Sequence, residues 1–132
     1  MGILPLDALR VSPNAILVDW VPHASVVPWA DVVITHGGMG TVMEALSHGV
    51  PLVCIPMGRD QYGNADRIST LGAGKTLEAS SAPDVVRATV TDVLSSPSYR
   101  AAARNLADLI SAYGKWRSGC CRARSALTLT PA

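Results

Sequence analysis

The chain has 132 residues, with 11 basic and 10 acidic side chains and a formal net charge of +1. That length fits one domain, and so even a charge balance argues against a nucleic-acid or strongly acidic partner. Hydrophobic residues reach 48%, with three Trp, three Tyr and no Phe, so the core is mostly aliphatic and suits α/β layers. No apolar stretch approaches the ~18 residues of a membrane span; the longest, VVPWADVVI, is cut by Asp31. MGILPLDALR carries no signal-peptide pattern. It opens Met-Gly, but Leu6 stands where an N-myristoylation site wants a hydroxyl. Cys54, Cys120 and Cys121 form no disulfide framework and read as free thiols of a reducing cytoplasm.

In chain order, Ala15 to Asp19 reads as a short strand stopped by Pro22, and ASVVPWA as a short helical turn limited by Pro28. DVVITH is an apolar run of strand length that ends at His36. From Gly40 to His48 the spacing of Val42, Ala45 and Leu46 predicts a helix, closed by Gly49 and Val50-Pro51. PLVCIP is another strand, followed by the loop MGRDQYGN and a helix from about Asn64 to Leu71 that stops at Gly72. GKTL is a further short strand. Ser81 as N-cap, with Pro83 and Asp84 in the first turn, opens a helix whose apolar face is Val86, Val90, Val93 and Leu94. A last helix spans about Ser98 to Ala112, with Leu106, Leu109 and Ile110 inward. From Lys115 the periodicity stops, so residues 1–114 read as the domain and 115–132 as an irregular or disordered tail, or a reading-frame scar.

Apolar runs alternating with helices imply βα units and a parallel, Rossmann-like sheet. Ligands bind at the carboxyl ends of such strands. HGGMGTVME, residues 36–44, lies at such an end. Its glycines let backbone N–H groups approach a ligand, and the following helix N-terminus offers unpaired donors and partial positive charge. The turn is therefore either an anion site or merely a tight strand-to-helix connection. A nicotinamide fingerprint is excluded, because Met43 stands where its last small residue should be. Gly74-Lys75-Thr76 lacks the upstream glycine of a P-loop. ALSHG approximates a nucleophile elbow, but Ser47 ends a helical pattern rather than a strand. His23, His36 and His48 offer no compact metal spacing.

WVPH at 20–23 and THGGMGTVMEALSHGVPLVCIPMGRDQ at 35–61 together resemble the signature of family 1 glycosyltransferases. These include plant UDP-dependent glucosyltransferases and bacterial macrolide and glycolipid transferases; the spacing here is similar to the bacterial form. The resemblance covers about residues 14–113 and implies the C-terminal, donor-binding half of a GT-B fold, incomplete at its N-terminal edge. It implies transfer of a hexose from a UDP- or dTDP-sugar co-substrate to an acceptor hydroxyl, with no metal and no further cofactor.

The resemblance also assigns roles. Trp20 would stack on the base, or else anchor the core; Val21 would meet the base edge through its backbone, and His23 the base or ribose. His36, Gly38, Met39, Gly40 and Thr41 would surround the diphosphate. Glu44 would accept the ribose hydroxyls, although Thr41-x-x-Glu44 also reads as a capping box. Asp60 and Gln61 would hold the sugar, and Arg59 reads as a solvated loop charge. The catalytic base of this family lies in an N-terminal acceptor domain, so none is assigned in this chain. That makes the chain a fragment, a truncated product, or one part of a two-chain enzyme with a separate acceptor-domain partner. The alternative is a non-catalytic nucleotide-sugar- or partner-binding module.

Overall fold

The computed structural model describes residues 9–121, with side chains for residues 9–114. Three short strands, β1 (Val33–Thr35), β2 (Leu52–Cys54) and β3 (Gly74–Thr76), form a parallel sheet in the order β1-β2-β3. Leu52 pairs with Val33 on one side and Gly74 on the other, which fixes the register. The helices are α1 (His23–Val26), continued by a 3-10 turn at Val27–Trp29, then α2 (Met39–Ser47), α3 (Gln61–Thr70), α4 (Pro83–Ser95) and α5 (Pro97–Cys121).

β2 is an unbroken apolar run because it is covered on both faces, as parallel central strands are. On one face, Leu52 and Cys54 pack with Val42, Ala45 and Leu46 of α2, Ala65 and Ile68 of α3, and Ala103 of α5. On the other, Val53 is buried and α4 lies across β2 and β3, presenting Val93. Lys75 of β3 pairs with Asp92 of α4 at 2.5 Å, both half-exposed. Their mutual hydrogen bond raises the Lys75 pKa and lowers that of Asp92. The pair's increment is therefore present between the ordinary carboxylate and ammonium pKa values, is lost in acid as Asp92 protonates and in base as Lys75 deprotonates, and exposure keeps it small. Burial pushes the Cys54 thiol up to about 11, so it is uncharged at neutral pH.

The strands after residue 30 and the α2 core face, Val42, Ala45 and Leu46, match the sequence pattern. Elsewhere the structure corrects it. Ala15 to Asp19 forms no strand, and Ile16 is 91% exposed. A strand needs a hydrogen-bonding neighbour, and none of the described residues supplies one there. α3 begins at Gln61 rather than Asn64, because the Asn64 N–H already bonds the Asp60 carbonyl at 3.0 Å. α4 is capped by Ala82 without a side-chain bond, with Pro83 supplying the preset φ of the first turn. Leu94 and Leu109 point to solvent; α5 packs on α2 through the small Ala103, with Leu106 and Ile110 partly buried. The helical backbone of α5 runs past Lys115 to Cys121, where the tail had been expected to be irregular. Once nucleated, a helix extends at little cost. The remaining tail, 122–132, and the leader readings on residues 1–8 lie outside the described residues, as do the side chains of Cys120 and Cys121.

Candidate functional site

The site is built where β1 hands over to α2. Thr35 is buried at the strand end, and its Oγ1 accepts the Gly37 N–H at 3.2 Å. Gly37 has φ +91, a conformation other residues rarely adopt. A Cβ there would also lie 3.2 Å from the Gln61 carbonyl oxygen, so the turn sits close against the loop after β2. Gly38 is the N-cap of α2 and makes no side-chain cap bond. The first helical bond runs from the Val42 N–H to the Gly38 carbonyl at 3.0 Å. The amides of Met39, Gly40 and Thr41 precede it and belong to the orphan donors of a helix start. The exposed His36 imidazole crosses this end: its Nε2 lies 2.8 Å from where a Cβ on residue 38 would stand. Only glycine at 38 leaves the ring that place. A Cβ on Gly40 would meet nothing within 4 Å, so space is open beside those amides.

The second component is the loop after β2. Arg59 is exposed and holds φ 57, the left-handed region. Gln61 Oε1 accepts the Met57 N–H at 2.8 Å and the Gly58 N–H at 3.2 Å, which fixes the loop around Arg59. Buried Asn64 joins the two components. Its Nδ2 donates to the Gly37 carbonyl at 2.9 Å and to Asp60 Oδ2 at 3.3 Å. His36, Gly38, Asp60 and Gln61 are thereby brought to one end of the sheet. The sequence reading passed over Asn64, although a polar residue four positions after a loop aspartate, on a helix start, was the available signal.

Further along α2, Glu44 makes no capping box. The N-cap is Gly38, so Thr41 lies within the helix, and Glu44 Oε1 instead meets His48 Nε2 at 3.2 Å. The Ser47 hydroxyl donates to the Glu44 carbonyl at 2.8 Å, an ordinary helix back-bond rather than an activated nucleophile. Trp20 is 78% exposed, which removes the core-anchor reading. It lies with Val21 on the extended segment before α1, and His23 is the first residue of that helix. α1 packs against α2, which keeps this segment beside the site. Among the described residues, no hydrogen bond joins Trp20, Val21 or His23 to the glycine turn.

The turn is an open ledge. A concavity of about 690 Å³ lies at the outer edge of β3, lined by residues such as Ser69, Gly72 and Tyr99. A second, about 560 Å³, follows the ends of β2 and β3, between Pro56, Tyr62 and Leu77. Among the described residues, no cluster of His, Cys, Asp or Glu is placed to hold a metal ion. Orphan amides beside an imidazole suit a polyanion, and the Asp60–Gln61 pair suits a neighbouring polyol.

Residues 5–115 match the family model described as "Erythromycin biosynthesis protein CIII-like, C-terminal domain". The chain belongs to this family. This CIII-like C-terminal domain is 39% identical over 102 residues to the elloramycin glycosyltransferase ElmGT of Streptomyces olivaceus, covering 77% of this chain and 25% of that one. It is 32% identical over 97 residues to human UDP-glucuronosyltransferase 3A1, covering 71% and 18%. Among solved structures, the glycosyltransferase VinC in complex with dTDP superposes with a TM-score of 0.72 at 30% identity, covering 75% of this chain and 25% of that one. The calicheamicin glycosyltransferase CalG4 gives 0.77 at 29% identity, covering 95% and 34%. The CIII-like domain thus has the Rossmann-like α/β fold of the matching part of these GT-B glycosyltransferases, and it spans about a quarter of the length of ElmGT.

Proposed function

We propose that the chain is the donor-binding part of a glycosyltransferase that moves a hexose from a UDP- or dTDP-sugar to an acceptor hydroxyl. The observation that carries this reading is the uncapped start of α2 tied, through Asn64, to the Asp60–Gln61 loop. The nucleoside would stack on exposed Trp20, with Val21 and His23 beside the base and Glu44 on the ribose. The diphosphate would lie over Gly38, Met39, Gly40 and Thr41, with His36 against it, and the sugar over Asp60 and Gln61. Gln61 Oε1 is already used twice, so the amide NH₂ is its group for a sugar hydroxyl.

Chemically, the acceptor oxygen displaces the nucleoside diphosphate at the anomeric carbon. Fixed amide dipoles and the imidazole stabilise charge developing on the departing phosphate without reorganising. The base that takes the acceptor proton, and the acceptor-binding surface, belong to a further domain or a separate chain. The similarity to human UDP-glucuronosyltransferase 3A1 and to VinC in complex with dTDP supports the donor class. A buried, unpaired Cys54 fits a reducing, cytoplasmic setting.

Calorimetry with UDP and dTDP tests the reading. Trp20→Ala should weaken nucleotide binding by about 1–3 kcal/mol, the usual worth of a base platform. Unchanged affinity removes Trp20 from the site. Acceptor-dependent UDP release with an added acceptor-domain chain supports the transferase; tight binding that never yields release supports a non-catalytic binding module instead.

A further inference from the structure

We infer that His48 is a positioning residue for Glu44, holding its carboxylate in the orientation that receives the ribose. The inference rests on the ribose role proposed for Glu44. The two side chains lie one helical turn apart on the same face of α2. A carboxylate only accepts, so His48 Nε2 donates its proton to Oε1 across 3.2 Å. Both side chains remain partly open, 38% for His48 and 30% for Glu44, so a ligand can reach the pair.

His48 is well placed to act as a fixed post. It is the C-cap of α2, and its own N–H bonds the Ala45 carbonyl at 3.2 Å. The next residue, Gly49, turns into the left-handed region with φ 67, and a Cβ there would lie 3.0 Å from Arg104 Cγ, so α5 closes in directly behind. Helix side chains lean toward the N-terminus. An untethered Glu44 carboxylate would therefore drift over the turn of Gly40 and Thr41, toward the partial positive charge of the helix start. There it would repel a bound diphosphate. His48 draws Oε1 the other way and leaves Oε2 for a hydroxyl.

Calorimetry on the full chain, with UDP and 2′,3′-dideoxy-UDP as probes, separates this role from a structural one. His48→Ala should weaken UDP binding about threefold to tenfold, the worth of one hydrogen bond, and leave the dideoxy nucleotide unchanged. His48→Gln, whose amide can donate to the same oxygen, should restore most of the UDP affinity. Equal losses for both nucleotides, or no rescue by Gln, would overturn the proposal. Glu44→Ala reports on the underlying reading: it should erase the preference for UDP over the dideoxy form. If that preference survives, Glu44 is not the ribose acceptor; if it vanishes in Glu44→Ala but persists unreduced in His48→Ala, only the positioning role fails.

Discussion

Gly74→Ala is expected to abolish cooperative folding, or to lower stability by about 3 kcal/mol or more, beyond the usual overpacking penalty. Gly74 pairs with Leu52 in the parallel ladder. A Cβ on residue 74 would stand 1.9 Å from the Leu52 carbonyl oxygen and 3.0 Å from Ile68 Cγ2. Leu52 is fully buried in the central strand, so its backbone has nowhere to retreat. Relief requires β3 to part from β2, which also takes Lys75 away from Asp92. Gly63 provides the contrast: it lies within α3, and a Cβ there meets nothing within 4 Å. Gly63→Ala should gain up to about 1 kcal/mol from helix propensity alone. Urea midpoints of the two variants should therefore move in opposite directions; a wild-type midpoint for Gly74→Ala would contradict the close approach of β3 to β2.

Asn64→Ala should damage both stability and donor recognition. The amide is buried and serves the Gly37 carbonyl and Asp60 Oδ2 at once. Removing it strands a carbonyl at the glycine turn, at a cost of about 1–3 kcal/mol. It also frees the Asp60–Gln61 loop from the turn that would hold the diphosphate. The affinity for UDP-glucose should then fall further than that for UDP, because the sugar contacts depend on the tie. Asn64→Asp should be worse, since it sets acceptor against acceptor. Parallel calorimetry with the two ligands reads the difference, and equal losses would show that Asn64 supports the fold without organising the sugar site.

Features fixed by local chemistry were legible in the sequence. β1 and β2 lie in apolar runs ended by Gly or Pro, β3 follows the glycine that stops α3, and α2 declares its core face through Val42, Ala45 and Leu46. Features fixed by distant partners were not. Ala15 to Asp19 has strand composition, yet pairing needs a neighbour that no described residue provides. The start of α3 was hidden by Gly63, which resembles loop, whereas the Asp60 carbonyl already binds the Asn64 amide. The Asn64–Gly37 bond spans 27 positions, beyond any local pattern. Thr41-x-x-Glu44 shows the opposite failure: a valid local motif set in the wrong helical phase, because the cap is Gly38. Of the candidate site, the turn and the Asp60–Gln61 loop were readable as motifs, while the bond that joins them was visible only in three dimensions.

A titration of the ¹⁵N-labelled chain with UDP, and separately with uridine, tests the central claim most directly. UDP should shift the amides of Gly38, Met39, Gly40 and Thr41 and the ring of His36, together with the Trp20 indole. Uridine should move Trp20 and leave the α2 amides in place. If UDP leaves those amides unmoved, or shifts residues of the Tyr62–Leu77 groove instead, then the start of α2 does not bind the diphosphate.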